Sequence, residues 1–70
     1  MIPLNLAEPG EELTVKRIGG SAEIKQHLED LGFTAGSTVY VVNRLGGNII
    51  VKVKESRIAL NEELARKVMI

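Results

Sequence analysis

A mostly β fold with one short α-helix, closed as a small SH3-like β-barrel, is what this sequence predicts. Three observations carry that expectation. Apolar and polar residues alternate in several short runs, a helical spacing occurs in one stretch from Ser21 to Leu31, and glycines stand at most of the changes between them. With 70 residues there is room for one domain, residues 1–70, of a size that buries only about 60% of its unfolded surface. An OB-type barrel is the geometric rival, but its longer strands usually need more residues.

Each element has a local cause. In "ELTVKRI", Leu13 and Val15 alternate with Thr14 and Lys16 as a half-buried strand does, and Arg17 and Ile18 then break the phase. A bulge near Lys16 and Arg17 would restore it. From Ser21 the period becomes helical, because Ile24, Leu28 and Leu31 fall on one face. Ser21 is the expected N-cap, Glu23 suits the positive end of the helix dipole, and Gly19 and Gly20 let the chain turn in. Gly32 is placed to stop the helix in a left-handed conformation, with Leu28 and Phe33 as the apolar pair that closes such an ending. "TAGS" supplies a turn at Gly36, and "STVYVVNR" is the next strand. Gly46 and Gly47 separate it from "NIIVKVK", where Ile49, Val51 and Val53 alternate with Ile50, Lys52 and Lys54, so the two are expected to form a hairpin. "SRIALN" reads as a short strand, "NEELARK" as a helical turn capped by Asn61, and "VMI" as a closing strand.

Composition narrows the function. Lys plus Arg (9) equals Asp plus Glu (9), so binding to nucleic acid or a membrane surface through bulk charge is not expected. The absence of cysteine removes disulfides, thiolate metal sites and thiol catalysis, and fits a reducing compartment. No apolar run approaches the roughly 18 residues of a membrane span, and "MIPLNLAEPG" lacks the basic start of a signal peptide. A cytoplasmic protein without direct membrane insertion is therefore expected.

Catalytic chemistry has few carriers. His27 flanks the apolar stripe of the helix with Glu23 and Asp30 in the same sector, a weak set of metal candidates. The simpler reading is a solvated helix face, and no metal site or cofactor is expected. The carboxylate pairs Glu11/Glu12, Glu29/Asp30 and Glu62/Glu63 are adjacent in sequence and so diverge in either a strand or a helix. Ser21, Ser37 and Ser56 have no histidine at a defensible spacing, and "RIGGSAEI" is more simply a loop and cap than an anion cradle. An enzyme is not expected.

Binding surfaces are better represented. Arg44, Lys52, Lys54 and Arg57 are placed to share one sheet face, as the solvated side of strands does. With Tyr40 and Phe33 the only aromatics, stacking of single-stranded nucleic acid and a polyproline-reading groove both lack their platform, and no nucleic-acid partner is expected. "TVYVV" is apolar on both faces, with Val39 and Val41 on one side and Tyr40 and Val42 on the other. Either the helix or the terminal strands cover the second face, or Tyr40, Val42 and Ile50, rimmed by Arg44 and Lys52, form a patch for another protein.

The stretch "HLEDLGFTAGSTVYVV", a helix ending in Leu-Gly-hydrophobic followed by x-x-Gly and a strand, resembles the signature of the FeoA family. The resemblance runs through the chain: "IPLNLAEPGEELTVKRIGG" is similar to the family's opening and "GGNIIVKVKESRIALNEELARKVMI" to its ending. It implies an SH3-like barrel and a role as accessory to FeoB, the membrane ferrous iron transporter with a cytoplasmic guanine-nucleotide-binding domain. No catalytic residues are implied. The chain departs from common members at Asn48 and Ile49, where they often have Asp-Pro, and near Glu55 and Ser56, where they often have glycine. Related domains form the C-terminus of metal-dependent repressors, which makes a metal-responsive regulatory domain the alternative. Neither a helix-turn-helix nor metal-binding helices precede this one and the chain starts with Met, so the free-standing form is expected.

Overall fold

Valines at alternate positions build the main sheet, because each strand presents one apolar edge to the interior. In the computed structural model, which describes residues 1–70, the strands are β1 (Glu12–Thr14), β2 (Arg17–Ile18), β3 (Thr38–Leu45), β4 (Asn48–Val53), β5 (Ser56–Asn61) and β6 (Val68–Met69). Helix α1 spans Ala22–Asp30, α2 is the single turn Glu62–Ala65, and a 3₁₀ turn covers Leu4–Leu6. Antiparallel pairing orders the first sheet β1-β3-β4-β5, with Val39 opposite Val53 and Val41 opposite Val51, all four buried. The second sheet pairs β2 with β6, and Pro3 bridges Met69 on the other side.

The phase break after Val15 is a change of sheet, not the bulge expected at Lys16 and Arg17. Val15 donates its N–H to Ser37 at 2.8 Å, on the β3 side, whereas Lys16 donates to Met69 at 2.7 Å, on the β6 side. One extended segment thus serves both sheets, turning a corner where its side-chain alternation resets. The fold is SH3-like and mostly β, but the two sheets are joined at this corner without closing into a continuous hydrogen-bonded barrel.

Helix α1 begins and ends as its sequence dictates. Ser21 is the N-cap, its Oγ accepting from the N–H of Ile24 at 3.2 Å. At the other end Gly32 takes φ +107°, its N–H reaching Glu29 and that of Phe33 reaching Leu28, each at 2.9 Å. These two bonds make a Schellman ending, and Leu28 and Phe33 are fully buried beside it. Gly36, at φ +92°, occupies the third position of the turn in which Ser37 donates to Thr34 at 2.9 Å. Asn61 caps α2, with Oδ1 accepting from Leu64 at 2.8 Å.

Leu4, Val15, Leu28, Phe33, Leu60, Ala65 and Val68 join the sheet valines in one apolar cluster. All 14 buried residues are hydrophobic and none is polar or charged, so every ionisable group lies at or near the surface. No helix is long and apolar enough to cross a membrane.

Candidate partner-binding face

The outer face of the four-stranded sheet carries a row of side chains set by the strand register. Glu12 stands opposite Tyr40, Tyr40 opposite Lys52, and Lys52 opposite Arg57, so one line crosses all four strands. No element of the chain covers this line: Tyr40 keeps 42% of its surface exposed, and Glu12, Lys52 and Arg57 are exposed. Together with Thr38, Val42 and Lys54 these side chains line a shallow depression of about 430 Å³. The second face of the two-sided apolar strand is therefore open at Tyr40 and half-open at Val42.

A bulge decides who belongs to this face. Pairing between β3 and β4 shifts register between Val41 and Asn43, leaving Val42 as the extra residue; Asn43 then faces Ile50 and Arg44 faces Ile49. Because side chains alternate in a strand, the one-residue insertion turns Arg44 to the opposite side of the sheet. There its guanidinium donates to the main-chain carbonyls of Asn5 and, at 2.6 Å, of Ala7, tying down the end of the 3₁₀ turn. Arg44 is therefore not part of the rim on which the alternation rule places it. Ile50 stays on the outer side, half-buried between Asn43 and Ala59, but it does not line the depression. Tyr40, Val42 and Lys52 do lie together, joined by Glu12, Thr38, Lys54 and Arg57. Arg57 on β5 and Lys54 in the turn after β4 stand out in the sequence as charges, and Thr38 shares the alternation of Tyr40 on β3; Glu12 depends on the β1–β3 register, which no local signal reveals.

The remaining candidates disperse. His27, Glu23 and Asp30 are exposed on α1, and the Asp30 carboxylate accepts from the Gln26 amide at 2.9 Å. No group of three or more His, Cys, Asp or Glu side chains is placed to hold a metal ion. At the start of α1 the Gly19 N–H donates to the Lys67 carbonyl at 2.7 Å and the Ser21 Oγ accepts from Ile24, so these two residues serve as loop and cap. A wider depression beside α2, lined by Gly47, Asn48, Asn61, Glu62, Arg66 and Lys67 among others, has no hydrophobic side chain in its wall.

Core, corner and open sheet face define a class: a small SH3-like β domain with its chemistry confined to a charged outer surface. The family model described as the FeoA domain matches residues 2–70. A curated protein of Methanocaldococcus jannaschii named "Putative Fe(2+) transport protein A" is 37% identical over 70 residues, covering all of this chain and 85% of that protein. The chain belongs to the FeoA family. A crystal structure of an iron uptake regulatory protein, FeoA, superposes with a TM-score of 0.88 at 34% identity over 96% of this chain and 89% of that one. FeoA of Stenotrophomonas maltophilia, solved with zinc and described as a procaryotic SH3 domain protein, shares the fold with a TM-score of 0.86 at 24% identity, over 99% of this chain and 88% of that one.

Proposed function

We propose that this chain acts in ferrous iron transport as a non-enzymatic accessory that binds the cytoplasmic part of a FeoB-type transporter. The family, and the curated relative named for Fe(2+) transport, supply the process. The observation that carries the mode of action is the uncovered sheet face at Tyr40, an aromatic side chain held among cations on a rigid four-stranded platform. Aromatic side chains with an apolar body and a polar tip are favoured at protein interfaces, and a rigid platform loses little entropy on docking. The proposed contact comprises Tyr40, Val42 and Lys52, with Ile50 at its margin. Arg44 serves the fold instead.

Affinity capture tests this. The tagged chain is incubated with solubilised membranes containing the transporter, in parallel with Tyr40→Ala. Recovery of the transporter by the native chain and its loss with a folded Tyr40→Ala variant are expected; recovery by neither, with either nucleotide state, removes the transporter as partner.

A further inference from the structure

We propose that the face around Tyr40 takes an acidic segment of its protein partner, with the partner's carboxylates over Lys52, Lys54 and Arg57 and an apolar side chain against Tyr40 and Val42. This deepens the reading above and rests on it. The sheet carries a cost at this face. Lys52 and Arg57 stand directly opposite each other on neighbouring strands, an arrangement that disfavours the pairing by like-charge repulsion. Lys54 adds a third positive charge in the same depression. Nothing in the chain neutralises them: the one ion pair is Glu62–Arg66, on α2. The only carboxylate lining the depression, Glu12, stands two strands from Lys52, about 10 Å by strand spacing, and three from Arg57.

Segregation of this kind is not a by-product of a basic chain, because Lys plus Arg and Asp plus Glu are equal at 9 each. Cations gathered without internal partners in a neutral chain are complementary to an external anion. The rest of the face limits what kind. A nucleic acid carries charge continuously along its backbone, and Glu12 closes the row with the wrong sign for a strand passing across it. Stacking has one platform only, since Phe33 is fully buried. A short acidic peptide segment needs no more than the face provides: cations on one side, Tyr40 and Val42 in the middle, and a carboxylate at the other end. Glu12 then gives the site polarity, favouring a segment whose acidic residues stop at Tyr40.

Amide shifts of the isotope-labelled chain, titrated with the peptide Ac-Glu-Glu-Glu-Leu-Ala-NH2, whose acidic residues lie on one side of the leucine, test the proposal. Its lysine counterpart Ac-Lys-Lys-Lys-Leu-Ala-NH2 and an oligothymidylate serve as the other arms. A saturable response centred on Thr38, Tyr40, Lys52 and Arg57 is expected for the glutamate peptide alone. The double variant Lys52→Glu/Arg57→Glu, whose altered side chains are exposed, is expected to bind that peptide about tenfold more weakly or worse, and to gain affinity for the lysine peptide. That gain separates lost charge complementarity from lost folding. No saturable response, shifts centred elsewhere, unchanged affinity in the double variant, or a stronger response to the oligothymidylate would overturn the acidic-segment proposal. Transporter capture undiminished by the double variant would overturn it too while leaving the transporter reading intact. Glutamate-peptide binding at this face without transporter capture would support it and remove the transporter.

Discussion

Arg44 illustrates how one residue changes allegiance. Its guanidinium donates to two backbone carbonyls, those of Asn5 and Ala7, and so ties the N-terminal turn to the end of β3. Hydrogen bonds from a charged donor are worth more than neutral ones, but this side chain is exposed and water competes for it. Arg44→Ala should therefore cost about 1 kcal/mol in a urea melt, and transporter capture should be unchanged. Weakened capture with full stability would return Arg44 to the binding face. Both bonds leave one nitrogen, Nη2, so the contact depends on the reach and charge of the side chain and not on a two-nitrogen fork. Alternation along "TVYVVNR" places Arg44 beside Tyr40; the extra residue at Val42 reverses it. That reversal was not legible, because a bulge is a property of two paired strands and the partner's register is not written in either one. Ser21 and Gly32 were legible for the opposite reason, since capping is decided within a few residues.

Among the elements, α1 and the bulged strand β3 make opposite demands on the backbone. The helix must stop sharply so that Leu28 and Phe33 can both enter the core, and Gly32 allows this with φ +107°. A Cβ at position 32 would meet Val53 at 3.6 Å, ordinary contact, so the penalty of Gly32→Ala comes from conformation and not from collision. Its expected cost is about 1–2 kcal/mol of unfolding free energy, read as a lower denaturation midpoint with an unchanged slope. No loss of stability would mean that the helix ends by another route. In β3 the demand is for one residue too many. Deleting Val42 should restore regular pairing with Asn43 still opposite Ile50 and Arg44 still opposite Ile49, so Arg44 keeps its hold on the 3₁₀ turn and the domain loses less stability than with Arg44→Ala. A larger loss than that of Arg44→Ala would show that the bulge itself is needed to bring Arg44 to the turn. The segment Glu12–Ile18 shows the limit of period counting: its broken alternation was plain, but passage from one sheet to another was not distinguishable from a bulge.

At the scale of the whole molecule, a chain of 70 residues has only roughly 4 to 10 kcal/mol of stability available. An uncompensated like-charge pair such as Lys52 and Arg57 is a noticeable fraction of that, which is why its presence bears on function and not only on sheet packing. The overall fold was legible because the helix stop, the glycine-marked turns and the strand periods agree with one another, and the order of motifs carried the family with them. The open face was half legible: two apolar sides of "TVYVV" were evident, but whether something covers the second side depends on how distant elements pack. If this face is the contact, salt should weaken binding while the apolar part sustains it. The most direct test is calorimetric titration of the purified cytoplasmic part of the transporter into this chain and into Tyr40→Ala, with the variant's thermal unfolding recorded alongside. Saturable heat with the native chain, largely abolished in a variant that still unfolds cooperatively, is the predicted result. No heat with the native chain, or the same affinity in both, would contradict the claim that this sheet face is where the domain meets its transporter.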